Sequence, residues 1–220
     1  MSFSFNFYVV LNLLIQFIFI FFIGTALNVA IGLLEACPYS GSRILSFIGG
    51  ACTFGPGAVV GNKLMEVIRS FLDLQKENEN CKYFKKAQKY YQTLAQKAIK
   101  ANLVIDLYAF NLDQFGLLEM KSLSEKTGGY VIVNESFTGD VFKSTYKKVF
   151  EKDANNDLKL ASAAKMDVFL SKDLQVSGAI GLCTTLKKAG PSVSDVEIGQ
   201  GGTTSWYHII FFYIISSLFI

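Results

Sequence analysis

The sequence predicts an α/β fold with a doubly wound, mostly parallel sheet, followed by the first strands of an antiparallel β-sandwich. Two observations support this prediction. Helix-like and strand-like patterns alternate over residues 24–150, which is typical of parallel strands joined by crossover helices. Beyond residue 157, one strand-like segment follows another without a helix between them, as in antiparallel sheets. We place the domain boundary at residues 153–157, where the sequence DANND interrupts both patterns.

The first predicted helix covers residues 24–35, and Pro38 stands shortly after it. Its apolar residues recur at helical spacing, at Leu27, Ile31 and Leu34. A short strand is predicted over residues 43–48, RILSFI, and a loop rich in glycine and proline covers residues 49–61. Because the loop comes directly after a parallel strand, we expect it at the carboxyl edge of the sheet.

The longest predicted helix covers residues 78–101. One face is apolar, and its residues recur three or four apart: Phe84, Ala87, Tyr91, Leu94, Ala95 and Ile99. Between Glu79 and Asp106 the chain has no acidic residue, and the other face carries six lysines: Lys82, Lys85, Lys86, Lys89, Lys97 and Lys100. Such a face is usually solvated, and the functional alternative is contact with anionic lipid or an acidic partner.

The remaining elements are shorter. In the first part of the chain we predict a strand over 104–110, a helix over 116–126, a strand over 130–133 and a helix over 137–150. Beyond the boundary we predict strands over 165–171 and 174–180, around a Lys-Asp turn. Strand following strand around this turn indicates the start of a β-sandwich.

Both ends of the chain are uncharged, because all 21 basic and 18 acidic residues lie between Glu35 and Glu197. As a helix, residues 1–23 could cross about 30 Å of hydrocarbon, whereas the apolar tail at 207–220 is too short to do so. Both ends are rich in Phe and Ile, which A/T-rich codons encode. Three interpretations stay open for them: translated non-coding sequence flanking an exon, an N-terminal membrane anchor, or a strand or helix of the folded core.

Composition excludes several classes of protein. Apolar residues make up 51% of the chain, which does not fit intrinsic disorder, and four cysteines are too few to build a disulfide scaffold. The formal net charge of +3 gives no basic surplus that could neutralise many phosphates, so we expect no nucleic-acid partner.

No catalytic or metal-binding constellation is predicted. The single histidine, His208, lies in the apolar tail, so histidine-based catalysis has no candidate in the folded part. The cysteines form no C-x-x-C pair, and the loop at 49–61 lacks the Walker spacing of glycine and lysine. Asp113 and Glu119 lie near a strand end without a basic or nucleophilic group beside them, and we expect structural capping or a partner contact from them.

Seven stretches of the chain carry recognisable motifs: GTAL at 24–27 with IGLLE at 31–35, FIGGACTFGPG at 47–57, IRS at 68–70, LDQFGLLEMK at 112–121, TGGY at 127–130, SGAIG at 177–181 and IGQGGTTSW at 198–206. In this order they resemble the GTPase-activating inner-coat subunit of COPII, the Sec23 family. The stretch at 112–121 and the closing Gly-Gly-Thr-x-x-Trp are the most specific of them.

The resemblance implies a von Willebrand A-like trunk domain over residues 24–156 and the opening strands of a β-sandwich over residues 157–206. It also implies a role in the coat that buds vesicles from the endoplasmic reticulum, with three partners: a cargo-binding sister subunit, a small GTPase and an anionic membrane surface. The six lysines gain interest as a membrane or partner face, because the inner surface of this coat lies on anionic membrane.

The chain departs from the family pattern in several respects. The family's zinc finger lies upstream of the trunk and its arginine finger lies far downstream, so we expect no cofactor here and no catalytic role for Arg43 or Arg69. The first trunk strands are expected to be missing, and no D-x-S-x-S metal motif occurs. Phe115 stands where the family has a small polar residue. A sheet without its central strands exposes edges and helix faces, so we expect the chain alone to fold poorly.

The leading functional prediction is therefore a structural, non-enzymatic component of the COPII coat, on the cytoplasmic face of the endoplasmic reticulum membrane and of COPII vesicles. The alternative is a single-pass membrane protein that displays an A-type protein-binding domain, anchored by residues 1–23. A nucleotide-using α/β enzyme is a third interpretation, supported only by analogy of fold.

Overall fold

The computed structural model describes residues 8–12, 22–38, 41–61, 68–76, 81–111, 114–160, 162, 164–171, 173–185, 190–191, 193, 205–207 and 213–216. Its main feature is a parallel sheet with helices on both faces. The strands lie in the order β1-β2-β3-β4, with β1 at Tyr8–Asn12, β2 at Arg43–Ile48, β3 at Val104–Phe110 and β4 at Val131–Asn134. All three strand pairs are parallel, which confirms the predicted α/β class. Every residue of β3 is buried, so the core is built around this strand.

Five helices accompany the sheet in the described part of the chain. They are α1 at Ile23–Glu35, α2 at Phe71–Lys76, α3 at Phe84–Lys100, α4 at Leu117–Thr127 and α5 at Asp140–Val149. Successive residues of a strand point to opposite faces, so β3 contributes to two separate apolar clusters. Ile105, Leu107 and Ala109 pack with α1, α3 and α4. Tyr108 and Phe110 pack on the opposite face, beneath the aromatic side chains of α5.

Helix α2 is absent from the sequence prediction. It has six residues and none of them is buried, so it carries no apolar periodicity that could reveal it. Its signal is a capping box instead: the Ser70 amide donates to the Asp73 carboxylate at 2.7 Å, and the Asp73 amide donates to the Ser70 hydroxyl at 3.2 Å. The longest helix also begins later than predicted, at Phe84, after a turn at residues 81–83.

The N-terminal segment differs from the membrane helix proposed for residues 1–23. Tyr8–Asn12 is a strand, and it pairs in parallel with Arg43–Phe47 along the edge of β2. The backbone N–H and C=O groups of this apolar segment find hydrogen-bond partners in the neighbouring strand β2. The third interpretation, a strand of the folded core, therefore describes these five residues. Within the residues described above, no helix is long and apolar enough to span a bilayer.

The second part of the chain contains antiparallel strands, as predicted, but their pairing differs. The strands are β5 at Lys165–Asp167, β6 at Val176–Ile180, β7 at Thr184–Thr185, β8 at Ser205–Tyr207 and β9 at Tyr213–Ser216. A turn does form, since the Leu174 amide donates to the Ser171 carbonyl. However, β5 and β6 do not pair with each other: β5 pairs with β8, and β6 pairs with β9. The tail at 207–220 therefore contributes a strand to a sheet, which its apolar composition alone does not predict.

Candidate functional site: the lysine face of helix α3

Helix α3 separates its lysines from its buried residues. One side packs into the core through Ala87, Tyr91, Leu94, Ala95 and Ala98. All six predicted lysines are exposed: Lys82 in the preceding turn, and Lys85, Lys86, Lys89, Lys97 and Lys100 on the helix. At 3.6 residues per turn, the five helical lysines fall within an arc of about 120° opposite the buried residues. We call these six residues the lysine face.

The charged residues of helix α3 itself are all lysines. Helix α3 contains no acidic residue, so the positive charge on its surface is not neutralised within the helix. Lys97 and Lys100 lie in the last turn, where cations interact favourably with the helix dipole. The Lys97 ammonium also donates to the Asn28 side-chain oxygen of α1 at 3.2 Å. The arrangement can attract an anionic surface.

Two tyrosine hydroxyls hold α3 in place, one against the glycine-rich loop at 49–61 and the other against α1. The Tyr91 hydroxyl donates to the Gly57 carbonyl at 2.9 Å, and burial raises the pKa of Tyr91 well above its usual value. The Tyr90 hydroxyl donates to the Gly24 carbonyl of α1 at 3.1 Å. The loop follows β2 at the carboxyl edge of the sheet, where it was expected. Its close contacts with α3 and α1 give it a structural role.

Both arginines of the chain are engaged in buried ion pairs. Arg69 forms two hydrogen bonds with Glu119, at 2.9 and 2.7 Å, and its guanidinium lies 5.1 Å from the centre of the Phe84 ring. Arg43 pairs with Asp106 in the same two-bond manner. Neither guanidinium faces solvent.

The ion pairs also account for one of the two acidic residues that the sequence singles out. The expectation that no basic group lies beside Glu119 is wrong, because Glu119 forms a buried ion pair with Arg69. Arg69 lies 50 positions away in the sequence and could not be identified from spacing. Asp113 and His208 fall outside the described residues. In the part of the chain that the structure describes, no group of His, Cys, Asp and Glu side chains could hold a metal ion.

Comparisons with known proteins agree with this architecture. The sequence profile of the Sec23/Sec24 trunk domain matches residues 19–155. The chain is 44% identical over 184 residues to protein transport protein SEC23 F of Arabidopsis thaliana, covering 83% of this chain and 23% of that protein. The crystal structure of the human COPII-coat protein Sec24c resembles the fold with a TM-score of 0.51 at 13% identity, over 85% of this chain and 21% of that one.

These comparisons support the trunk part of the fold prediction: a partial α/β trunk domain of the von Willebrand A-like type. They also show that the chain spans about a quarter of the length of the relatives it matches. The profile match covers more than half of the chain and includes β2, β3, β4 and every described helix. The chain therefore belongs to the Sec23/Sec24 trunk-domain family.

Proposed function

We propose that the chain is a component of the COPII vesicle coat in transport between the endoplasmic reticulum and the Golgi, to which it contributes trunk-domain surface. The observation that carries this proposal is the trunk-domain match over residues 19–155, together with 44% identity to a transport protein of the SEC23 type. Its place would be the cytoplasmic face of the membrane, as a peripheral component. Its protein partners would be the cargo-binding sister subunit and the small GTPase of the coat.

The lysine face would contact the anionic membrane in this arrangement. Each lysine near a negatively charged leaflet contributes about 1 kcal/mol of attraction, and the attraction decays within a Debye length. Six exposed lysines on one surface, with no acidic residue on the helix, favour this contact over an isolated solvated helix face. The surface is distinct from the buried ion pairs that hold the core together.

Charge reversal of this face tests the membrane contact. We expect Lys85→Glu with Lys89→Glu to lower partitioning of the full chain into vesicles of phosphatidylcholine and phosphatidylserine. The expected loss is at least about tenfold at about 0.1 M salt, because the two substitutions lower the net charge of this surface by four units. Vesicle co-sedimentation measures the effect. Lys147→Glu with Lys148→Glu is the matched control, since these exposed lysines lie on α5, on the other face of the sheet. An equal loss in both variants would contradict a specific role for the lysine face.

The proposed role is that of a scaffold without a catalytic group or cofactor. In the related coat subunits, activation of the GTPase depends on an arginine finger. The two arginines of this chain, Arg43 and Arg69, are each buried against a carboxylate, and a guanidinium held in this way cannot reach a bound nucleotide. We therefore propose that the chain binds the coat components without accelerating GTP hydrolysis.

Binding and hydrolysis assays with purified coat components test this role. We expect the full chain to be retained by the cargo-binding sister subunit or by the GTP-loaded small GTPase, and to leave the hydrolysis rate at its intrinsic value. If these coat components also bind the Lys85→Glu, Lys89→Glu variant, the surface that contacts proteins is separate from the surface that contacts the membrane. Failure to bind either component would contradict the coat assignment, and faster hydrolysis would contradict the scaffold role.

A further inference from the structure

A threonine lies among the lysines of the lysine face. Thr93 is exposed, and it is the only serine or threonine between Phe84 and Lys100. At about 100° per residue, it falls near the middle of the arc that the helical lysines occupy. Lys89 precedes it by four positions and Lys97 follows it by four, so the three side chains form one row along the helix. A charge placed on Thr93 would therefore act directly on the lysines.

Three features weaken the first half of α3 as a helix. Its N-cap residue, Tyr83, makes no side-chain capping hydrogen bond. Lys85 and Lys89 are like charges four positions apart, which destabilises a helix. The Thr93 hydroxyl donates to the Lys89 carbonyl of its own helix at 3.0 Å, a contact that also slightly destabilises helices. We therefore expect this half of α3 to open locally while the core stays folded.

We propose that Thr93 is a phosphorylation site and that its modification releases the lysine face from an anionic membrane. This inference rests on the proposed membrane contact and adds the regulation of that contact. Kinases select their substrates partly by charge, and the segment before Thr93 presents Lys85, Lys86 and Lys89 without an acidic residue. Local opening of α3 would let a kinase bind this segment in extended form.

The modification is a phosphoryl transfer from a nucleoside triphosphate. The Thr93 Oγ1 atom bonds to the γ-phosphorus, and the bond from that phosphorus to the β–γ bridging oxygen breaks. The nucleoside diphosphate leaves, and the hydroxyl proton passes to a base of the kinase.

A phosphate on Thr93 would change the lysine face in two ways. It adds a charge of about −1.5 to −2, which offsets roughly two of the lysines. It can also pair with Lys89 and Lys97, and an acidic group four positions before a lysine is the favourable orientation on a helix. The modified helix is therefore more stable, while its attraction to an anionic surface is weaker.

The first test compares the full chain with and without phosphothreonine at position 93. We expect the phosphate to lower partitioning into vesicles of phosphatidylcholine and phosphatidylserine about tenfold at about 0.1 M salt. We also expect it to raise the midpoint of thermal unfolding by about 2 °C, because two ion pairs form on α3. A simple loss of folding would lower both quantities.

Phosphoserine at position 144 is the matched control. Ser144 is exposed on α5 beside Lys147 and Lys148, so the same charge enters a lysine-bearing helix on the other face of the sheet. We expect this phosphate to change partitioning less than about twofold. An equal loss at both positions would show that the total charge of the chain controls binding, and the inference would be wrong.

The second test asks whether a kinase modifies Thr93 in the folded chain. The full chain is incubated with radiolabelled ATP and a serine/threonine kinase that selects basic residues before its target. Trypsin cleavage after Lys89 and Lys97 releases the peptide 90–97, in which Thr93 is the only serine or threonine. We expect label in this peptide from the native chain and none from Thr93→Val. Absence of label from the native peptide would overturn the site.

These outcomes separate the regulation from the membrane contact itself. If phosphothreonine at position 93 leaves partitioning unchanged while Lys85→Glu, Lys89→Glu is impaired, the regulation is excluded and the membrane contact stands. If the native chain does not partition into these vesicles at all, the membrane contact is excluded and its regulation with it.

Discussion

Replacement of Arg69 by alanine is expected to lower the free energy of unfolding by about 3–5 kcal/mol, because it leaves the Glu119 carboxylate buried without a counter-charge. The side chain of Glu119 has no exposed surface, and that of Arg69 is only 7% exposed. Two hydrogen bonds of 2.9 and 2.7 Å join them, and the Phe84 ring covers the guanidinium. The pair thus links the segment before α2 to the starts of α3 and α4.

A double-mutant cycle distinguishes the unpaired charge from lost packing. We expect Arg69→Met with Glu119→Leu to recover much of the stability lost in Arg69→Ala, since an apolar pair of similar volume often replaces a buried ion pair at little cost. Urea unfolding followed by circular dichroism gives the free energies. Lys121→Ala is the control, because its pair with Glu125 is largely exposed and contributes at most about 0.5 kcal/mol. An Arg69→Ala variant as stable as the control would show that the pair is not a source of stability.

Gly129→Ala is expected to destabilise the fold by about 3 kcal/mol through a steric clash with the central strand. A Cβ atom at this position would overlap the Ile105 carbonyl oxygen and lie 2.6 Å from the Ile105 carbonyl carbon. Neither the backbone of Ile105 nor that of Gly129 can move easily to relieve this overlap. Ile105 lies in β3, a strand that pairs with β2 on one side and β4 on the other. The Gly129 amide donates to the Ser124 carbonyl at 2.9 Å, and the next amide, that of Tyr130, donates to the Asp106 carboxylate.

The matched control for this substitution is Gly32→Ala in α1. Nothing lies within 4 Å of a Cβ atom at Gly32, so alanine there meets no obstacle. Because alanine also restricts the unfolded chain and favours helix, we expect a gain of about 0.5–1 kcal/mol. Urea midpoints that move in opposite directions for the two variants would support the close approach at Gly129. Equal midpoints would contradict it.

Elements with strong local patterns could be predicted from the sequence. Helix α3 follows from apolar periodicity and strand β3 from a continuous apolar run. The exposure of the five lysines on α3 follows from the same helical geometry. The end of α4 is also local, since Gly128 adopts the left-handed conformation that ends the helix where Thr-Gly-Gly predicted it. Helix α2 was missed because none of its residues is buried.

Contacts between distant parts of the chain could not be predicted in this way. Three strand pairs join segments whose own sequences do not indicate which strand they pair with: β1 with β2, β5 with β8, and β6 with β9. The same is true of Arg69 with Glu119, whose contact depends on how the segment before α2 packs against α4. The sequence by itself determined the fold class, the main helices and strands and the family resemblance, because these depend on periodicity and motifs within short stretches. Only the tertiary structure decided strand partners and buried ion pairs, because these depend on which distant residues the packed core brings into contact.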